Sequence, residues 1–111
     1  MKVENMTSSR GNSVPNQFII TDESENAEYF QSYDTVIAKR CNSVVTLDIN
    51  AWNYSRTTAK YRNIFLNAST AQVEASIKSG EYLMRDLNNK TPEPEKVDFK
   101  RVNSDVNGNP R

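Results

Sequence analysis

The 111-residue sequence has no histidine, one cysteine and three glycines. No apolar run in it approaches the roughly 18 residues of a membrane span. Each absence removes a class of chemistry. Without histidine there is no Ser-His-Asp or Cys-His nucleophilic site. The common His-containing zinc sites and a histidine pH switch go with it. Cys41 alone can form no internal disulfide and no Cys-rich zinc site, and no histidine is at hand to activate its thiol. The first residues carry charge but no apolar run, so no secretory signal is read there, and the expected setting is the cytosol in which the chain is made. The acids offer little in return. Asp22, Glu23, Glu25 and Glu28 lack the alternation and glycine of a calcium loop. Asp98-Phe99-Lys100 matches the end of a nuclease motif without a strand-borne partner acid. The expectation is a protein that is not an enzyme, with no cofactor, no metal site and no membrane segment.

What is present is charge, unevenly placed. The 14 basic and 14 acidic residues cancel overall. From Val14 to Tyr54, however, six acids (Asp22, Glu23, Glu25, Glu28, Asp34, Asp48) face two bases (Lys39, Arg40). From Ser55 to Lys90 six bases (Arg56, Lys60, Arg62, Lys78, Arg85, Lys90) face three acids (Glu74, Glu81, Asp86). A neutral total hides a dipolar molecule.

The hydrophobic pattern predicts an α+β domain over residues 14–88, between a flexible polar arm (1–13) and a polar C-terminal tail (89–111). Gln17–Thr21, Ala27–Tyr33, Val36–Ala38 and Val44–Ile49 read as strands, a small antiparallel meander of three to four. In the second of these, Phe30 falls on one face while Tyr29, Gln31 and Tyr33 share the other. The period then changes. Tyr54, Thr58, Tyr61, Phe65 and Ala68 are spaced as one stripe of a helix, with Ser55 as N-cap and Trp52 and Tyr54 packing its start. Ser69 and Gln72 predict a capping box for a second helix carrying Val73 and Ile77, which Gly80 ends. Glu81–Leu87 is a candidate last strand returning to the sheet.

Two surfaces could carry function. At 100° per residue, Tyr54, Thr58, Tyr61 and Phe65 fall within about 60° of one another. Arg56, Lys60, Asn63 and Asn67 lie opposite, and Arg62 sits on a flank. The helix contains no acid. Its outer face, with Ser55 and the helix N-terminus as donors and Arg10 on the mobile arm, suits phosphate contact. The plainer reading is an ordinary solvated helix face, and the low overall charge density counts against strong DNA binding. A protein partner that is acidic at the contact is the other option. The aromatic set Tyr29, Phe30, Tyr33, Trp52, Tyr54 and Tyr61 is either core or a base-stacking platform on an exposed sheet face.

Several stretches together resemble a family of small uncharacterised proteins of bacteriophages and mobile elements of gut bacteria. These are Met6-Thr7-Ser8-Ser9-Arg10-Gly11-Asn12, Pro15-Asn16-Gln17-Phe18-Ile19-Ile20 and Tyr29-Phe30-Gln31-Ser32-Tyr33. Trp52-Asn53-Tyr54-Ser55-Arg56-Thr57-Thr58 with Lys60-Tyr61 and Phe65-Leu66, then Gly80-Glu81-Tyr82, complete the set. The resemblance implies an accessory protein acting in the bacterial host cytoplasm, or carried in a virion. Its partner would be nucleic acid, or a host or phage protein such as a component of a defence system.

Overall fold

The computed structural model describes residues 1–88. The sheet is larger than the sequence predicts. Among the described residues it has six strands: β1 (Lys2–Thr7), β2 (Ser13–Asp22), β3 (Ala27–Ser32), β4 (Thr35–Cys41), β5 (Val44–Asp48) and β6 (Leu83–Arg85). Helices α1 (Arg56–Leu66) and α2 (Thr70–Ser79) lie between the last two strands. The class remains α+β, but a sheet of three to four antiparallel strands is overturned. The order is β1-β2-β3-β4-β5-β6, antiparallel throughout except for the parallel β5–β6 pair. The helices form that pair's crossover, as a parallel return requires.

The missing strand is the supposed arm. Lys2–Thr7 pairs with β2, with Val3 opposite Ile20 and Glu4 opposite Ile19. Only Met6 of this strand is buried. An edge strand that buries one residue has almost no hydrophobic signature, so alternation could not reveal it. The C-terminal tail of 89–111 lies outside the described residues.

Three glycines serve a chain that turns often, and asparagine takes over the left-handed positions. Asn16, Asn26, Asn42 and Asn67 all have positive φ. Asparagine tolerates that conformation better than most residues because its short side chain bonds locally. Asn42 (φ 51°) and Ser43 (φ 70°) form the tight turn between β4 and β5. Two successive positive φ values match the twist of a two-residue hairpin.

The helix caps are where the sequence places them. Ser55 Oγ accepts from the Thr58 N–H at 3.1 Å. Ser69 and Gln72 form the reciprocal capping box. Gly80, at φ 83°, closes α2.

Both helices pack on one face of the sheet. Phe30 of β3 stacks on Phe65 of α1 with ring centroids 6.0 Å apart. Ile37, Ala38, Leu47, Leu66 and Val73 complete the buried cluster. Ile37 and Ala38 are both buried because the β3–β4 register shifts beside Phe30, and a bulge turns successive side chains to the same side. Gln17 is 1% exposed and its Oε1 has no hydrogen-bond partner among the described residues. An unpaired buried acceptor costs stability. Replacing Gln17 with methionine is therefore expected to raise the midpoint of a thermal melt, with a gain of about 1 kcal/mol. A lowered midpoint would contradict the reading of Gln17 Oε1 as unpaired.

Candidate functional site

The α1 stripe is rotated from its predicted position. Thr58, Arg62, Phe65 and Leu66 are the buried residues of the helix. Tyr54, predicted as the first position of the stripe, is 76% exposed. Arg62, placed by the sequence on a cationic flank, is fully buried. Its guanidinium lies 5.4 Å from the Trp52 ring. It donates to Trp52 O at 2.7 Å and to Asn63 Oδ1 at 2.8 Å, with longer contacts to Asn53 Oδ1 and Thr70 Oγ1. Burial pushes the guanidinium below its ordinary pKa, and nearby Glu74 partly offsets this. Arg62 is thus a tie between the β5–α1 loop, α1 and α2, and it is withdrawn from any external phosphate.

The other predicted site residues divide in two. Ser55, Asn63 and Asn67 are occupied by the fold. Ser55 caps α1. Asn63 accepts from Arg62 and donates to Thr70 Oγ1 at 3.0 Å. Asn67 (φ 55°) ends the helix. Arg10, Arg56 and Lys60 are exposed. Topology brings Arg10 and Arg56 to the same end of the sheet, since the β1–β2 turn and the start of α1 both lie there. Three cations spread over a turn and a helix make a thin anion surface.

A cleft of about 330 Å³ opens at that end, with Asp34, Asp48, Asp86 and Asn88 in its lining. It looks acidic, but Asp48 is already committed. Its Oδ2 accepts from the Asn50 and Ala51 N–H groups at 3.1 and 2.8 Å. Its Oδ1 accepts from the Leu87 N–H and Asn88 Nδ2 at 2.8 and 3.0 Å. Asn88 in turn takes the Val36 N–H (2.7 Å) and donates to Val36 O (2.9 Å), so a side chain pairs with β4 just beyond its pairing with β5. Among the described residues no group of three or more carboxylates or thiols could hold a metal ion.

Among the described residues, one face of the sheet carries no helix. Side chains alternate along a strand, so the neighbours of Phe30 point away from the helices. The register aligns one continuous row across all six strands: Val3, Ile20, Tyr29, Lys39, Thr46 and Leu83. A second row holds Asn5, Phe18, Gln31 and Val36. The first row carries a single charge. Lys39 Nζ sits 5.5 Å from the centre of the Tyr29 ring. The row's two ends are open, Val3 being 60% exposed and Leu83 37%. The six aromatics of the sequence reading therefore sort by place. Phe30 is core, Trp52 and Tyr61 pack against the core, and Tyr33 and Tyr54 are exposed at turns. Tyr29 stands on the open face, with Phe18 on the neighbouring strand.

Residues 1–81 match a family described as a family of unknown function, DUF8033. The chain belongs to this family. No curated protein and no solved structure matches it. The DUF8033 match runs from β1 to Glu81, two residues past α2, so it takes in the edge strand and ends just before β6. The Trp52–Thr58 stretch within it has a structural account. Trp52 O receives Arg62, Ser55 caps α1, and Thr58 Oγ1 lies 3.3 Å from Ser32 Oγ on β3. No helix among the described residues is long and apolar enough to cross a membrane.

Proposed function

We propose that this protein is a non-catalytic binding module that takes single-stranded nucleic acid on the helix-free face of its sheet. The observation that carries the reading is the row Val3–Ile20–Tyr29–Lys39–Thr46–Leu83, with Phe18 beside it. Bases stack on aromatic rings presented by central strands, and this tolerates any sequence because every base has a π-face. Tyr29 and Phe18 supply the rings. Lys39 supplies a cation next to one of them, and Arg85 shares the face of Leu83 by alternation. Asn5 and Gln31 flank Phe18 on the neighbouring strands, and their amides already donate to Val14 O and Tyr33 O. Few cations mean modest affinity and a shallow salt dependence. The resemblance to phage and mobile-element proteins fits an accessory role inside a bacterial host or in a virion.

Fluorescence polarisation with labelled single-stranded DNA and RNA at low salt tests this. Tyr29→Ala is expected to weaken binding roughly tenfold, the loss of about one stacked base. Arg56→Glu with Lys60→Glu is expected to have a smaller effect. The reverse result would move the site to the outer face of α1. No binding of any single strand would end the nucleic-acid reading.

A second reading is a protein-binding inhibitor of a host defence system. The row's single charge among six residues favours it, since apolar surface patches mark protein contacts. Tyr29→Glu would then abolish an interaction that no nucleic acid competes for.

A further inference from the structure

The two edges of the sheet are unlike each other. β6 is three residues long, and so short an edge offers little to pair with. β1 runs for six residues without proline, and Lys2, Val3, Glu4 and Asn5 are all exposed. Among the described residues its outer row of backbone N–H and C=O groups has no partner strand. Charged side chains are the usual guard on such an edge. Here the guard has both signs. Lys2 Nζ and Glu4 Oε2 lie 3.7 Å apart on the same face of the strand.

We infer that β1 pairs antiparallel with β1 of a second copy of this chain, centred on Val3. An antiparallel edge can pair with itself only in registers that set residues of like parity opposite each other, because the outward backbone groups belong to alternate residues. That leaves few choices. Centring on Lys2 sets Lys2 against Lys2, and centring on Glu4 sets Glu4 against Glu4. Like charges directly opposite are destabilising. Centring on Asn5 runs the pairing through the register shift between Asn5 and Thr7. Centring on Val3 sets each Lys2 against the other copy's Glu4 and Val3 against Val3. The charges that repel a foreign edge therefore select this one register of self-pairing. The symmetry axis stands perpendicular to the sheet, so both copies carry their helices on the same side. Their helix-free faces then merge, and the Leu83-to-Val3 row continues into its symmetry mate.

Sedimentation equilibrium of the full chain over a range of concentrations tests this. The wild type is expected to shift from the monomer mass toward twice that mass as concentration rises. Lys2→Glu and Glu4→Lys, each alone, place two like-charge pairs in the interface and are expected to weaken the dimer at least about tenfold. The double variant Lys2→Glu/Glu4→Lys exchanges the signs and is expected to recover it. Circular dichroism checks that each variant keeps the fold. A wild type that stays monomeric at the highest soluble concentration overturns the inference. So does a dimer insensitive to either single reversal, or a double variant that stays monomeric.

Discussion

Truncating Arg62 to alanine is expected to lower the free energy of unfolding by about 3 kcal/mol, from lost hydrogen bonds to a charged donor and the volume removed. In a domain this size that corresponds to a fall of roughly 15 °C in Tm. The guanidinium is fully buried, and its acceptors are neutral: Trp52 O, Asn63 Oδ1, Asn53 Oδ1 and Thr70 Oγ1. Once it is gone, Trp52 O and Asn63 Oδ1 lose a strong donor in a place water does not easily reach. Three variants separate the causes. Arg62→Met keeps most of the volume and removes every hydrogen bond. Arg62→Lys keeps the charge but gives up the planar fork that reaches several acceptors at once. Both are expected to lose at least half of what alanine loses. Urea unfolding followed by fluorescence of Trp52, the single tryptophan, measures this, because the ring lies against the guanidinium. If methionine restored wild-type stability, Arg62 would be a space-filler and the hydrogen bonds would contribute nothing net.

Arg62 also marks where sequence reading stops. Its position on α1 is one turn after Thr58 and three residues before Phe65, so periodicity places it beside the buried stripe. Residue type argues the other way, since arginine is almost never fully buried unless paired. What decides is the β5–α1 loop, which folds back so that Trp52 O meets the guanidinium. No pattern within the helix contains that information. The same holds for Tyr54. Its spacing suits the stripe, but it precedes the N-cap Ser55, where the backbone is extended rather than helical. The helical angle does not carry across the cap, so Tyr54 leaves the stripe. The caps themselves were legible because they are local chemistry: Ser55 serves Thr58 N–H, and Ser69 pairs with Gln72.

The sheet shows the same division. β3, β4 and β5 are rich enough in apolar and β-branched residues to be read directly, although Ile37 and Ala38, and Leu47 and Asp48, are buried side by side rather than alternately. β1 buries only Met6 and owes its existence to pairing with β2, a nonlocal fact. The open face was half legible. Alternation separates Tyr29 and Gln31 from Phe30, but not which set the helices cover. Phe30 against Phe65 settles that only in three dimensions.

Asp48 carries the second large effect. Asp48→Ala is expected to cost about 3 kcal/mol, because four donors lose their acceptor in a buried place. Asp48→Asn is the sharper variant. It keeps the shape but replaces one acceptor oxygen with an NH₂ group. Each carboxylate oxygen receives two donors, Asn50 and Ala51 N–H on one and Leu87 N–H and Asn88 Nδ2 on the other. Whichever way the amide turns, its NH₂ meets N–H groups. The expected loss is about 2 kcal/mol. Hydrogen exchange should locate it. The Ala51 and Leu87 amides would exchange faster, and so would Val36 N–H, which depends on Asn88 being held by Asp48. Amides in the middle of β3 would be the slowest to change. The order follows from the chain path: β6 is three residues long and parallel to β5, and Asp48 ties the segment after it back to the end of β5. If Asp48→Asn left stability and the Leu87 amide unchanged, the β5–β6 pairing would hold without its carboxylate. The cleft acids would then be free for a role other than architecture.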